Sequence, residues 1–217
     1  MKNLPTFISV HVPKTAGTTF LKLISSVYGK NFKSDYLDIM NLNSTILHGD
    51  KPSNIIPNNI HKYKVIMGHF RASKYLYLKR PYIAWVRNPV DRAISHFYFW
   101  KSLWKKGRKR NWDPKLSKLF ESKWSVIDFS QMFSNQMCYF LDCDIKHFKF
   151  IGISENFDKE LCRFEKTFGV EINSPKKRLN VNPNKKEVNK KIRKDIAKYH
   201  KKDIELYQRA LEISNTN

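Results

Sequence analysis

The run Phe7-Ile8-Ser9-Val10 passes through Val12-Pro13-Lys14-Thr15-Ala16-Gly17-Thr18-Thr19 into Phe20, Leu21, Ile24, Val27 and Tyr28 at helical spacing. A short apolar run, a loop of small and hydroxyl residues holding a lysine, and an amphipathic helix make a strand–loop–helix unit. No other feature constrains the fold as much, because strands that alternate with helices pair in parallel. Such a turn is also a way to hold a phosphate. Backbone N–H groups converge on the anion, and the helix dipole places about half a positive charge behind them. Lys14 comes early in the loop and Gly17 after it. The ATP-type loop has the opposite order, with glycines first and then Gly-Lys-Ser/Thr. The loop is therefore a phosphate cradle of a different kind.

Strands are expected over residues 6–12, 63–67, 82–86 and 148–153. All four are short and rich in β-branched or aromatic residues, with little alternation, as in strands buried on both faces. Helical patterns cover 18–28, 90–104, 125–141, 156–168 and about 187–213, with Gly169 placed to stop the fourth. This order predicts an α/β layer architecture with a mainly parallel sheet. Ligands in such sheets sit beyond the carboxyl ends of the strands. The three chemically richest segments fall there: 13–19, Gly68-His69-Phe70, and 87–95. The Asn-, Pro- and Ser-rich stretch 41–59 and the segment 105–114 read as exposed loops. The basic run Lys105-Lys106-Gly107-Arg108-Lys109-Arg110 reads as a solvated loop, with docking of an acidic substrate as the alternative.

With 41% hydrophobic and 14% aromatic residues, the 217-residue chain can bury a core as one domain over 1–217. It contains no apolar run of about 18 residues, and its first strand begins too early for a signal peptide. The expectation is a cytoplasmic protein without a transmembrane segment. The formal net charge of +22 favours anionic partners. Frequent lysine, asparagine and isoleucine also fit an AT-rich coding sequence, so charge names no partner. Cys138, Cys143 and Cys162 are odd in number and show no CxxC pair; they read as buried, reduced thiols.

The second motif is Arg87-Asn88-Pro89-Val90-Asp91-Arg92-Ala93-Ile94-Ser95. An arginine at a strand end and a serine two helical turns on can bind a phosphate monoester. Taken alone, the segment fits equally an arginine paired with a carboxylate and a serine bonded to its own helix. The two motifs in this order resemble those of the PAPS-dependent sulfotransferases, especially the carbohydrate branch with heparan sulfate 2-O-sulfotransferase and bacterial relatives. That family carries PKT-x-[GS]-T-[ST], R-x-P-x-x-R-x-x-S and, between them, G-H-[FV]. Here these read 13–19, 87–95 and Gly68-His69-Phe70. Weaker echoes are Asn135-Gln136, 150–155 and Leu179-Asn180.

The resemblance implies a three-layer, P-loop-like α/β fold with a mainly parallel central sheet flanked by helices. It implies PAPS as sulfuryl donor and PAP as product, with no metal. Lys14, Thr15, Ala16, Gly17, Thr18 and Thr19 would bind the 5′-phosphosulfate, Lys14 also acting in catalysis. Arg87 and Ser95 would hold the 3′-phosphate. His69 would be the general base for an acceptor hydroxyl, with His11 as competitor; an imidazole with its ordinary pKa near 6.5 suits that task. The acceptor implied is a carbohydrate or glycolipid, with no nucleic acid partner expected. Trp104, Trp112 and Trp124 are candidates to stack on sugar rings, or core residues. His48, His61, His96, His147 and His200 have no comparable setting. Two departures stand out. Met67 replaces the first histidine of the His-Gly-His form, and Cys138-Tyr139 occupies the region where relatives often place an arginine. The basic segments 176–178 and 185–186 read as a donor-closing loop or as solvated surface. Two rivals remain: a nucleotide-dependent phosphotransferase, and a non-catalytic basic nucleic-acid-binding module. The first wants a Gly-Lys-Ser/Thr, which the chain lacks; the second wants a reader motif.

Overall fold

A computed structural model describes residues 4–36, 56–106, 114–172 and 188–216. Five strands, β1 (Phe7–Val10), β2 (Phe32–Asp35), β3 (Val65–Gly68), β4 (Tyr82–Val86) and β5 (Phe148–Ile153), form one parallel sheet in the order β2-β3-β1-β4-β5. Successive side chains on a strand point to opposite faces, and both faces are apolar. Phe7, Val65, Met67, Ile83, Trp85 and Phe150 pack on one side against α1 (Gly17–Tyr28) and a second helix, Phe157–Phe168. Ile8, Val10, Ile66, Ala84, Val86 and Ile151 pack on the other, under Gln136–Leu141 and Lys201–Thr216. The sheet is therefore the middle of three layers, and burial on both faces explains the lack of alternation in its strands.

The remaining helices, in chain order, are α2 (Pro89–Lys105), α3 (Pro114–Glu121), α4 (Val126–Met132), α5 (Gln136–Leu141), α6 (Phe157–Phe168), α7 (Lys190–Lys198) and α8 (Lys201–Thr216). Gly169, at φ 62, ends α6 as its position predicts. Strand β2 is an addition: Phe32-Lys33-Ser34-Asp35 is an edge strand whose mixed polarity hides it from periodicity. The single helix expected over 125–141 is two, broken at Asn135, whose φ is 45. The last expected helix is likewise two, α7 and α8, parted at Tyr199 and His200. The three cysteines are free thiols as expected, yet half-buried rather than buried. Burial and the Asp203 carboxylate push the Cys138 thiol up to about 12.

Most of the stretch 41–59, residues 107–110 of the basic run, Trp112, His48, Leu179-Asn180 and the segments 176–178 and 185–186 lie outside the described residues. Among the described residues no helix is long and apolar enough to cross a membrane.

Candidate functional site

The strand order sets the site. From β1 the chain builds β2 and β3 on one side, then crosses to β4 and β5 on the other. Neighbours β1 and β4 therefore send their carboxyl-end connections in opposite directions, which opens the crevice where α/β folds bind ligands. The loop 13–19 leaves β1 at this point and Arg87 leaves β4. Arg87 Nη1 donates to the Lys14 carbonyl at 3.3 Å, tying the two motifs together. Asn88 starts α2 behind it, its side chain accepting from the N–H groups of Val90 and Asp91 at 3.1 and 3.2 Å, with Pro89 in the first turn.

Within the loop, Lys14 and Ala16 are left-handed, at φ 71 and 65. Each such residue costs about 1–2 kcal/mol, and strain of this kind gathers where a backbone must curl around a ligand. Thr15 is fully buried, and its hydroxyl donates to the Val12 carbonyl at 2.8 Å, closing the loop on itself. Helix α1 has no side-chain cap and no acidic residue in its first turn, so no side chain of its own start competes for its leading N–H groups. Thr18 is exposed at this helix start and Thr19 is buried. A Cβ at Gly17 would lie 2.0 Å from the His11 ring, so any larger residue there would push that ring out of place.

His69 follows β3, the other neighbour of β1. Its Nδ1 is bonded to the His11 carbonyl. A carbonyl can only accept, so Nδ1 carries the proton and Nε2 carries a lone pair. The His69 ring stacks on His11, centroids 4.1 Å apart, and His11 Nδ1 pairs with the Tyr36 hydroxyl at 2.7 Å. The two histidines that compete for the base in the sequence thus form one contact pair. Burial lowers His69 to about 4, partly opposed by its backbone bond. Burial, His69 and Lys14 hold His11 well below its ordinary value. Both rings are neutral at neutral pH. Lys14 is also lowered, by burial and then by Arg87.

Ser95 stands on α2, half-buried, above a buried polar cluster that motif spacing does not reveal. Arg92, with no exposed surface, donates from Nη1 to Gln136 Oε1 at 3.1 Å. Burial lowers it to about 10, against the pull of Asp203. Gln136 is thus occupied in holding Arg92, and its neighbour Asn135 accepts from the Asp203 N–H at 3.2 Å. The Asp203 carboxylate receives the N–H groups of Met137 and Cys138 at 3.1 and 2.8 Å. The Cys138 region is therefore structural. His96 also lies by the site: its Nε2 accepts the Trp100 indole N–H at 2.8 Å. Burial, Arg92, Lys14 and His69 all hold it well below its ordinary value. Its position after Ser95 was the one available signal. Met67 packs in the core under α1 and α6, and Trp104 stacks on Phe120 at 5.9 Å.

Four buried neutral histidines carry a stability consequence. Burial, with Arg92 nearby, lowers His200 to about 3, alongside His69 at about 4 and His11 and His96. The unfolded chain takes up protons on these rings below about 6.5, while the native state refuses them. Stability from these groups is therefore complete above that pH and falls as the solution is acidified toward 4, by several kcal/mol in all. Urea midpoints at pH 7.5 and 5 read this directly; equal midpoints would show that the imidazoles are solvated.

A model of the sulfotransferase family matches residues 2–210. Among solved structures, mouse sulfotransferase SULT7A1 complexed with PAP is similar at 16% identity and a TM-score of 0.41, covering 78% of this chain and 60% of that one. The chain thus spans about three fifths of the length of that enzyme. No curated protein matches it.

Proposed function

Because the chain belongs to the sulfotransferase family, we propose that it moves a sulfuryl group from PAPS to a hydroxyl of a carbohydrate acceptor. The observation that supports this reading is the junction of two cationic motifs at the β1/β4 crevice, bridged by Arg87 and the Lys14 carbonyl at 3.3 Å. A donor that is anionic at both ends of a nucleoside needs cationic and hydrogen-bond donor groups at two places. The residues fit that need: an α1 start free of acidic residues, the Lys14 ammonium, and Arg87 with Ser95.

When bound, PAPS supplies the sulfuryl group, its S–O bond breaking with the electron pair left on the phosphate of PAP. The backbone N–H groups of residues 15–19 and the Thr18 and Thr19 hydroxyls hold the 5′-phosphate. Lys14 offsets the negative charge that grows on the bridging oxygen, a stabilisation strongest in a water-poor site. Arg87 and Ser95 hold the 3′-phosphate and reject nucleotides without one. His69 Nε2 accepts the acceptor's hydroxyl proton, and the His11 carbonyl keeps the ring in the tautomer that leaves Nε2 free. A glycolipid or intracellular glycan precursor, sulfated in the cytoplasm, is the acceptor within this reading.

Thermal unfolding with PAP, AMP and ATP separates this reading from a phosphotransferase. PAP at 100–1,000 times its Kd raises stability by about 2–4 kcal/mol. AMP, lacking the 3′-phosphate, gives a clearly smaller shift at equal concentration. Equal shifts with the three nucleotides would overturn the assignment.

A further inference from the structure

We propose that Phe99 is a positioning residue for Lys14, its ring face holding the lysine's ammonium at the mouth of the 13–19 loop. The inference rests on the donor reading above. Lys14 Nζ lies 4.3 Å from the Phe99 ring centroid, well inside the range of a cation–π contact. Phe99 is 42% exposed, so core packing does not account for a large apolar side chain there. It stands one helical turn beyond Ser95, on the same side of α2. The residue assigned to the 3′-phosphate and the residue that holds Lys14 are therefore stacked along one helix face.

The other charged groups around Lys14 do not hold it. Arg87, from the end of β4, repels it, and its own charge depresses His11 just after β1 and His96 on α2. Among the described residues Lys14 has no ion pair with a carboxylate. That arrangement suits an anion site. A carboxylate would cancel the lysine's charge and repel a phosphate. An aromatic face attracts the ammonium through its quadrupole, leaves the charge uncompensated, and restricts a side chain that is otherwise costly to order.

Phe99→Leu and Phe99→Tyr test this in the full chain. Leucine keeps apolar bulk at the position and loses the ring face; tyrosine keeps the face. NMR titration of 13Cε-labelled lysine, with Lys14 assigned from the Lys14→Arg spectrum, reads the contact directly in the nucleotide-free protein. The ring favours the charged amine, so its loss moves the Lys14 titration to lower pH in Phe99→Leu and leaves it in place in Phe99→Tyr. With PAPS, kcat/KM of Phe99→Leu falls about five- to thirty-fold. The alkaline limb of its pH profile moves down with the lysine, and Phe99→Tyr recovers both.

An unmoved Lys14 titration in Phe99→Leu overturns the proposal. So does a Phe99→Leu enzyme whose acceptor KM alone has risen, which would make the ring an acceptor platform. If the unaltered protein fails to bind PAP, the donor reading falls and this inference with it. A PAP-binding enzyme indifferent to Phe99→Leu overturns the inference alone.

Discussion

Lys14→Ala lowers kcat by about a hundred- to a thousand-fold, the loss expected when one preorganised charge is removed from a developing anion. The fold survives the change for stated reasons. Lysine and alanine share the same Cβ, so the left-handed backbone at φ 71 is no worse off. Among the described residues the ammonium has no ion-pair partner to leave stranded. Removing it also relieves the repulsion with Arg87 that lowers its pKa. The lost Phe99 contact and the relieved repulsion oppose each other, so the melting temperature stays close to the parent's while transfer from PAPS collapses. On the proposed reading PAP binding weakens as well, because the same charge would face the 5′-phosphate. Steady-state kinetics and thermal unfolding on one preparation check both halves; an alanine variant with near-normal kcat would remove Lys14 from the chemistry.

His69→Ala costs about 10²–10⁴-fold in kcat/KM, the range for a positioned general base. Alanine also strips the hydrogen bond from the His11 carbonyl and leaves a space against the His11 ring. His69→Asn separates these effects. The asparagine amide can donate where Nδ1 does, yet it has no counterpart to the basic Nε2. If the asparagine variant folds like the parent and is as slow as the alanine one, proton removal is the lost function. If it remains active, the base is His11 or a water. The pH profile carries a second signature. With His69 at about 4, Nε2 is unprotonated throughout the neutral range. Activity is then flat from about pH 8 to about 5, falling only as acid protonates the ring. An acidic limb near 6.5 would mean an ordinary, solvated imidazole.

Much of this was legible in the chain. Strands β4 and β5 fall over 82–86 and 148–153 as read, because a strand buried on both faces must be a short, continuous apolar run. Helices α1, α2 and α6 lie within a residue of their periodic patterns, which were long enough to be unambiguous. The misses share a cause. Strand β2 exists because Phe32–Asp35 pairs with β3, not because of its own composition. Tyr36, which pairs with His11, was hidden with it. The break at Asn135 is held by Asp203 and His200, which bond to its side chain and its N–H from the far end of the chain. Nothing within a helical window around 125–141 reports it.

The division at the site is similar. Residue type and local spacing determined that a lysine-bearing loop, a histidine and an arginine would each stand at the carboxyl end of a strand, with Ser95 on the helix that follows, because those are properties of single strand–loop–helix units. Tertiary structure alone decided what the groups do to one another. Strand order brought β1 and β4 together at the switch point and set Arg87 against the loop. It laid His69 on His11, kept both neutral by burial, and put Phe99 beneath the Lys14 ammonium. Burial and cross-strand contact join residues far apart in the chain, and their energies depend on distances that no local pattern encodes.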